Sequence, residues 1–91
     1  MDAKERRIFE DLGRRVREAR LARGWTQEEA AERAEIDVKD FQRIEAGRAN
    51  LTLRSVVRLA RVLRTPLRSL FDAPASRAKR KSGRPRGLVR P

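Results

Sequence analysis

The 91-residue chain contains no cysteine, no histidine and no tyrosine. Without cysteine there is no disulfide framework and no thiolate metal site. Without histidine the usual general base and the commonest zinc ligand are missing. An enzyme is therefore not expected, and neither is a metal, a cofactor or a small-molecule ligand. No apolar run approaches the roughly 18–20 residues that span a bilayer. The opening residues, Met1-Asp2-Ala3-Lys4-Glu5-Arg6-Arg7, lack the apolar stretch of a secretory signal. No membrane partner is expected, and the expected compartment is the cytoplasm. Acids are also in short supply, with 13 Asp and Glu against 24 Lys and Arg. The resulting net charge of +11 favours a polyanionic partner.

That charge is unevenly spread. Residues 72–91 carry seven basic residues and one acid, Asp72, so six of the eleven net charges lie there and five in residues 1–71. Three of the four prolines and two of the five glycines fall in the same stretch, with almost no apolar periodicity. The composition predicts a folded domain over residues 1–71 and a disordered basic tail over 72–91.

Within the domain the apolar spacing is helical throughout, and no segment alternates with period two. The expected fold is all-α with five helices. Ile8, Phe9, Leu12, Val16 and Ala19 recur at three- and four-residue steps and predict a first helix over residues 4–23, closed by Gly24. Trp25 follows, as a side chain that caps the core. Thr26-Gln27-Glu28-Glu29 is a capping-box sequence and opens a short helix over residues 27–34. Asp37 can cap a third helix over 38–46, with Gly47 beyond it. Thr52 caps a fourth over 53–63, its inward face being Leu53, Val56, Ala60 and Leu63. Thr65-Pro66 opens a last short helix, in which Leu67, Leu70 and Phe71 close the core.

The second and third helices are separated by three residues, 35–37. So short a connection forces a sharp crossing, the helix-turn-helix geometry. Ala31 provides the small side chain the crossing needs. With Phe41 and Ile44 facing inward, Lys39, Gln42, Arg43 and Ala46 face outward, and Val38 and Asp40 lie near the exposed first turn.

Three segments carry a family resemblance in the right order and spacing. They are Gly24-Trp25-Thr26-Gln27-Glu28-Glu29-Ala30-Ala31, Arg43-Ile44-Glu45-Ala46-Gly47-Arg48-Ala49-Asn50, and Leu59-Ala60-Arg61-Val62-Leu63. The stretch from Leu12 to Phe71 resembles the phage repressor/Cro-type helix-turn-helix proteins, also called the Xre family. The resemblance implies a bacterial or phage DNA-binding regulator in the nucleoid. It implies that Gln27 clamps a phosphate at a helix N-terminus. Val38, Lys39 and Arg43 match positions that touch base edges, with Asp40 and Gln42 beside them. Arg48 and Asn50 match backbone-contacting positions, and Arg20 and Glu45 match a structural ion pair. The side-chain chemistry agrees: Arg43 can donate twice to guanine and Gln42 can pair with adenine. Lys39 can serve guanine more loosely, Val38 can meet a thymine methyl, and Asp40 can accept from cytosine or stabilise the helix start.

Two positions depart from the family pattern. Glu35 stands where the turn usually has glycine, so either it takes a left-handed conformation at ~1–2 kcal/mol or the turn differs. Ala30 stands where leucine is usual, so the core is thinner there or filled by Trp25. Arg54, Arg58, Arg61 and Arg68 form a helical stripe and read as a solvated face before a phosphate-contacting one. Val57 and Val62, with Leu67 and Leu70, fit edge packing or a two-fold interface equally. In the tail, Lys79-Arg80-Lys81-Ser82-Gly83-Arg84-Pro85-Arg86-Gly87 resembles an AT-hook, which would place Arg84 and Arg86 in an A·T-rich minor groove. The usual arginine before that glycine is Ser82 here, and a nonspecific electrostatic arm is the simpler reading.

The expected function is a sequence-specific transcriptional regulator, a repressor binding double-stranded DNA as a homodimer. The alternatives are an antitoxin with a toxin partner, and an adaptor for protein or RNA.

Overall fold

A computed structural model of the chain describes residues 1–77. Among them are four α-helices and one 3-10 helix, with no strand. The first helix, α1 (Ala3–Ala22), starts at a capping box: Asp2 Oδ1 accepts from the Glu5 amide at 2.8 Å, and Glu5 Oε1 from the Asp2 amide at 3.1 Å. Leu12 and Val16 are its buried apolar side chains, and Phe9 and Ala19 are half-buried. Ile8, expected inside, is 56% exposed. Residues 1–8 are all exposed, so the first turns of α1 run past the end of the core.

Helix α2 (Gln27–Ala34) begins at the Thr26–Glu29 box, with reciprocal hydrogen bonds of 2.8 and 3.0 Å. It buries only Ala30, Ala31 and Ala34. Trp25 packs half-buried against the core beside it, with the Arg33 guanidinium 4.5 Å from the ring centroid. The turn after α2 settles the question posed by Glu35, which is left-handed at φ 57° and ψ 43°. Its backbone strain is offset by the hydrogen bond it permits, from the Ile36 amide to the Ala31 carbonyl at 2.9 Å. Helix α3 (Val38–Glu45) starts where Asp37 Oδ1 accepts from the Lys39 amide at 2.8 Å. It ends one residue earlier than expected, with Ala46 as its cap.

Helix α4 (Leu53–Leu63) starts at Thr52, whose hydroxyl accepts from the Ser55 amide at 3.1 Å. Its inward side chains are Val56, Leu59, Ala60 and Leu63. Leu53, expected inside, is 70% exposed at the first position of the helix, and the preceding loop instead supplies Leu51 to the core. The fifth expected helix is not an α-helix but a 3-10 helix, Leu67–Phe71. Of its three apolar side chains only Leu70 is buried. A helix wound at about three residues per turn turns the next residue a third of the way round, so Phe71 faces solvent at 54% exposure.

Phe41, Leu59, Leu63, Leu70 and Val16 form the centre of the core. Helices α1 and α3 approach closely at Gly13. A Cβ there would overlap the backbone carbonyl oxygens of Ile44 and Glu45. Any side chain at Gly13 would push α1 away from the C-terminal end of α3.

Residues 72–77, placed by composition in the tail, lie along α1. Pro74 is buried. The Ala75 amide donates to Glu18 Oε2 at 2.7 Å, and Arg77 grips both oxygens of Asp11 at 2.8 and 2.9 Å. Arg15 Nε, on the same stripe of α1, donates to the Ser69 carbonyl at 2.8 Å. The hydrogen bonds from Arg77 hold the Asp11 carboxyl below the usual carboxylate range. No helix among the described residues is long and apolar enough to cross a membrane.

Candidate nucleic-acid interface

The outward face of α3 is set by what its inward face must do. Phe41 and Ile44 bury against the core, and Glu45 turns in to meet α1. Lys39, Gln42 and Arg43 then share the opposite face at three- and four-residue spacing, and all three are exposed. Asp40 is exposed beside them, whereas Val38 is half-buried and packs against the core. Arg48 and Asn50 are exposed in the loop between α3 and α4. Lys39, Arg43 and Arg48 have no ion-pair partner among the described residues. Arg84 and Arg86 lie outside the described residues.

An open groove of about 410 Å³ runs between the helix-turn-helix turn, α3 and the start of α4. It brings Asp37, Asp40, Arg43 and Asn50 together with Glu35 and Ser55. Arg43 thus has a carboxylate-bearing groove on one flank. Ser55 and the groove itself are tertiary features with no local pattern to announce them.

On the other flank the helix is tied down by buried polar bonds. Arg20 Nε donates to Glu45 Oε2 at 2.6 Å and Arg20 Nη2 to Glu45 Oε1 at 3.2 Å. The remaining Arg20 nitrogen, Nη1, donates to the Trp25 carbonyl at 2.8 Å. Gln27, half-buried at the first position of α2, donates through Nε2 to Glu45 Oε1 at 2.9 Å. Its own Oε1 accepts from Gln42 Nε2 at 3.3 Å. Three helices therefore meet at one carboxylate, and the chain of bonds ends on the exposed α3 face.

Further basic side chains follow α3 in the chain. From Ala46 to Phe71 the sequence holds six arginines and no acid. Arg54, Arg58, Arg61, Arg64 and Arg68 are all exposed on α4 and the segment after it. The helical stripe was visible in the sequence. Arg64, not part of the stripe as read, is the left-handed C-cap of α4 at φ 52°.

Comparison with known proteins decides the class. The family described as "Helix-turn-helix domain" matches residues 11–73, which include all four helices' core positions and the α2–turn–α3 unit. The chain belongs to the repressor/Cro-type helix-turn-helix family. Two solved structures place this helix-turn-helix protein further. It is 33% identical to the restriction-modification controller protein C.AhdI from Aeromonas hydrophila, over 69% of this chain and 96% of that one, with a TM-score of 0.66. It is 27% identical to the hypothetical transcription factor NHTF from Neisseria, over 77% and 80% of the two chains, with a TM-score of 0.72. No curated protein matches the chain. The helix-turn-helix protein is thus a DNA-binding transcription regulator, similar to restriction-modification controller proteins.

Proposed function

We propose that this regulator is a repressor that binds a two-fold operator as a homodimer and reads base edges with α3. The observation that carries the reading is the exposed face of Lys39, Gln42 and Arg43, held in place by the buried Arg20–Glu45 pair. Arg43 and Lys39 supply donors for guanine and Gln42 an amide for adenine. Gln27, Arg48 and Asn50 set the register on phosphates, Gln27 with the backbone amides at the start of α2. Asp40 disfavours phosphate and suits a cytosine amino group. One small domain covers few base pairs, and a dimer with half-sites about 34 Å apart doubles the site. Among the side chains named for the two-fold contact, Val57 and Leu67 are exposed, as is the neighbouring Phe71. Leu70 is fully buried and so not free to form it, and Val62 is half-buried.

Selection of bound sites from a random duplex pool tests this reading. The expected product is a two-fold symmetric consensus. No preference over bulk DNA at ~150 mM salt would sink the proposal.

The 33% identity to a restriction-modification controller favours a second reading, control of a restriction-modification gene pair. A consensus lying upstream of such genes selects it; a consensus lying upstream of a toxin-like gene selects the antitoxin role.

Residues 78–91 carry six basic residues. Deleting them is expected to weaken binding and to lower the slope of log affinity against log salt by up to about 5. Salt titrations of the full and shortened chains measure this. An unchanged slope means the tail makes no phosphate contact. Loss of preference for A·T-rich flanks, in addition, marks Arg84 and Arg86 as a minor-groove hook.

A further inference from the structure

We propose that Glu45, acting through Gln27, is the positioning residue that fixes which way the Gln42 amide faces, and that this makes Gln42 an adenine reader. The inference rests on the DNA-reading role proposed above for α3.

The argument uses only donor and acceptor chemistry. An ionised carboxylate accepts hydrogen bonds and donates none. Glu45 is 3% exposed, and its two oxygens already face Arg20. Gln27 lies 2.9 Å from Oε1 and can meet it only with its NH2 end. The Gln27 carbonyl oxygen must therefore point the other way, where Gln42 lies at 3.3 Å. That oxygen can only accept, so Gln42 in turn presents its NH2 end inward. Two polar contacts carry the sign of a buried carboxylate to an exposed side chain.

What remains free on Gln42 is its Oε1 and one N–H. Adenine shows an acceptor, N7, next to a donor, N6–H, in the major groove, and an amide with one free oxygen and one free N–H matches that pair. Guanine shows two acceptors there and would face the oxygen with an oxygen. A freely rotating amide can present its two ends in either order and loses that freedom on binding. An amide already oriented loses less, and it distinguishes A·T from T·A as well as from G·C.

The test compares the full chain with Q27A and Q42A on the selected site. The base pair read by Gln42 is the one whose preference Q42A removes. Affinities are then measured for sites carrying A·T, T·A or G·C at that pair. The wild type is expected to discriminate roughly fivefold or more. Q27A keeps the Arg20–Glu45 pair and is expected to lose most of that ratio, with preferences at all other pairs intact. An unchanged ratio in Q27A overturns the proposal, and so does an equal loss of affinity for every sequence. E45Q, which keeps the shape but allows either amide orientation, should relax the same pair. A wild type with no preference anywhere overturns the DNA reading and the adenine assignment with it. The bond chain is then still checked without DNA, by NMR of the side-chain amides. Q27A should move the Gln42 Nε2 resonances toward those of a solvated glutamine, and unmoved resonances overturn it.

Discussion

Changing Lys39, Gln42 and Arg43 together to alanine should reduce binding at the selected site to the level of bulk DNA. Specific complexes of this kind exceed nonspecific ones by roughly a thousandfold or more, and that margin is what should vanish. Each bidentate base contact contributes about 1–3 kcal/mol of discrimination, so three positions in each of two half-sites suffice to account for it. All three side chains are exposed and none is part of the Arg20–Glu45 pair, so folding should be unaffected. Nonspecific binding should survive, since the triple change removes two of 24 basic residues. The control is R54A/R58A/R61A on α4, which removes three. If both variants lose specificity equally, charge and not position is responsible, and α3 is not the reading element. Gel-shift or fluorescence titrations against the selected site and a scrambled one distinguish these results.

The second large effect concerns the Arg20–Glu45 pair. Removing one member of a buried ion pair leaves the other charge desolvated and unpaired, at a cost of about 3–5 kcal/mol. A domain of this size has a total stability of only about 5–15 kcal/mol. E45A and R20M should therefore each move the denaturant midpoint down sharply, and a domain at the low end of that range is expected to be unfolded at 37 °C by either. R20M/E45L replaces the pair with apolar groups of similar volume and should recover most of the loss. The double-mutant cycle isolates the coupling between the two residues. Single variants within 1 kcal/mol of wild type would show that the pair contributes no such coupling. The recovered double variant has a further use. It keeps the fold but takes the carboxylate away from Gln27, so any relaxed base preference in it has no stability defect to explain it.

The sequence disclosed most where the determinants are local. Thr26, Asp37 and Thr52 cap helices within three residues of themselves, and α2 and α4 begin and end at the expected positions. Periodicity gave the direction of each apolar face but not where the core stops. Ile8, Leu53 and Phe71 have the right spacing or neighbours and still sit at element ends beyond the packed layer. Glu35 was flagged by its place in the turn. Arg64, equally left-handed, follows a helix whose last residues look unremarkable in sequence. The segment 72–77 reads as part of a disordered tail because its partners, Asp11 and Glu18, lie 57 or more residues away along the chain. For the interface, the exposed face of α3 follows from burying Phe41 and Ile44. The Gln27–Gln42 contact spans 15 residues and two helices, and no local pattern encodes it.

The three alanines of α2 have a consequence for how evenly the domain holds together. A buried alanine contributes one methyl group, so α2 brings less apolar area to the core than any other α-helix. Segments with little buried apolar area open at lower free energy than the rest of a domain, and their amides exchange with solvent sooner. The half of the helix-turn-helix proposed above to set the register on phosphates is thus expected to be the half most easily detached. Gln27, bonded to Glu45 at its first turn, is the polar latch that keeps it seated. DNA that engages the start of α2 would close the same latch from outside, so binding and local order would rise together.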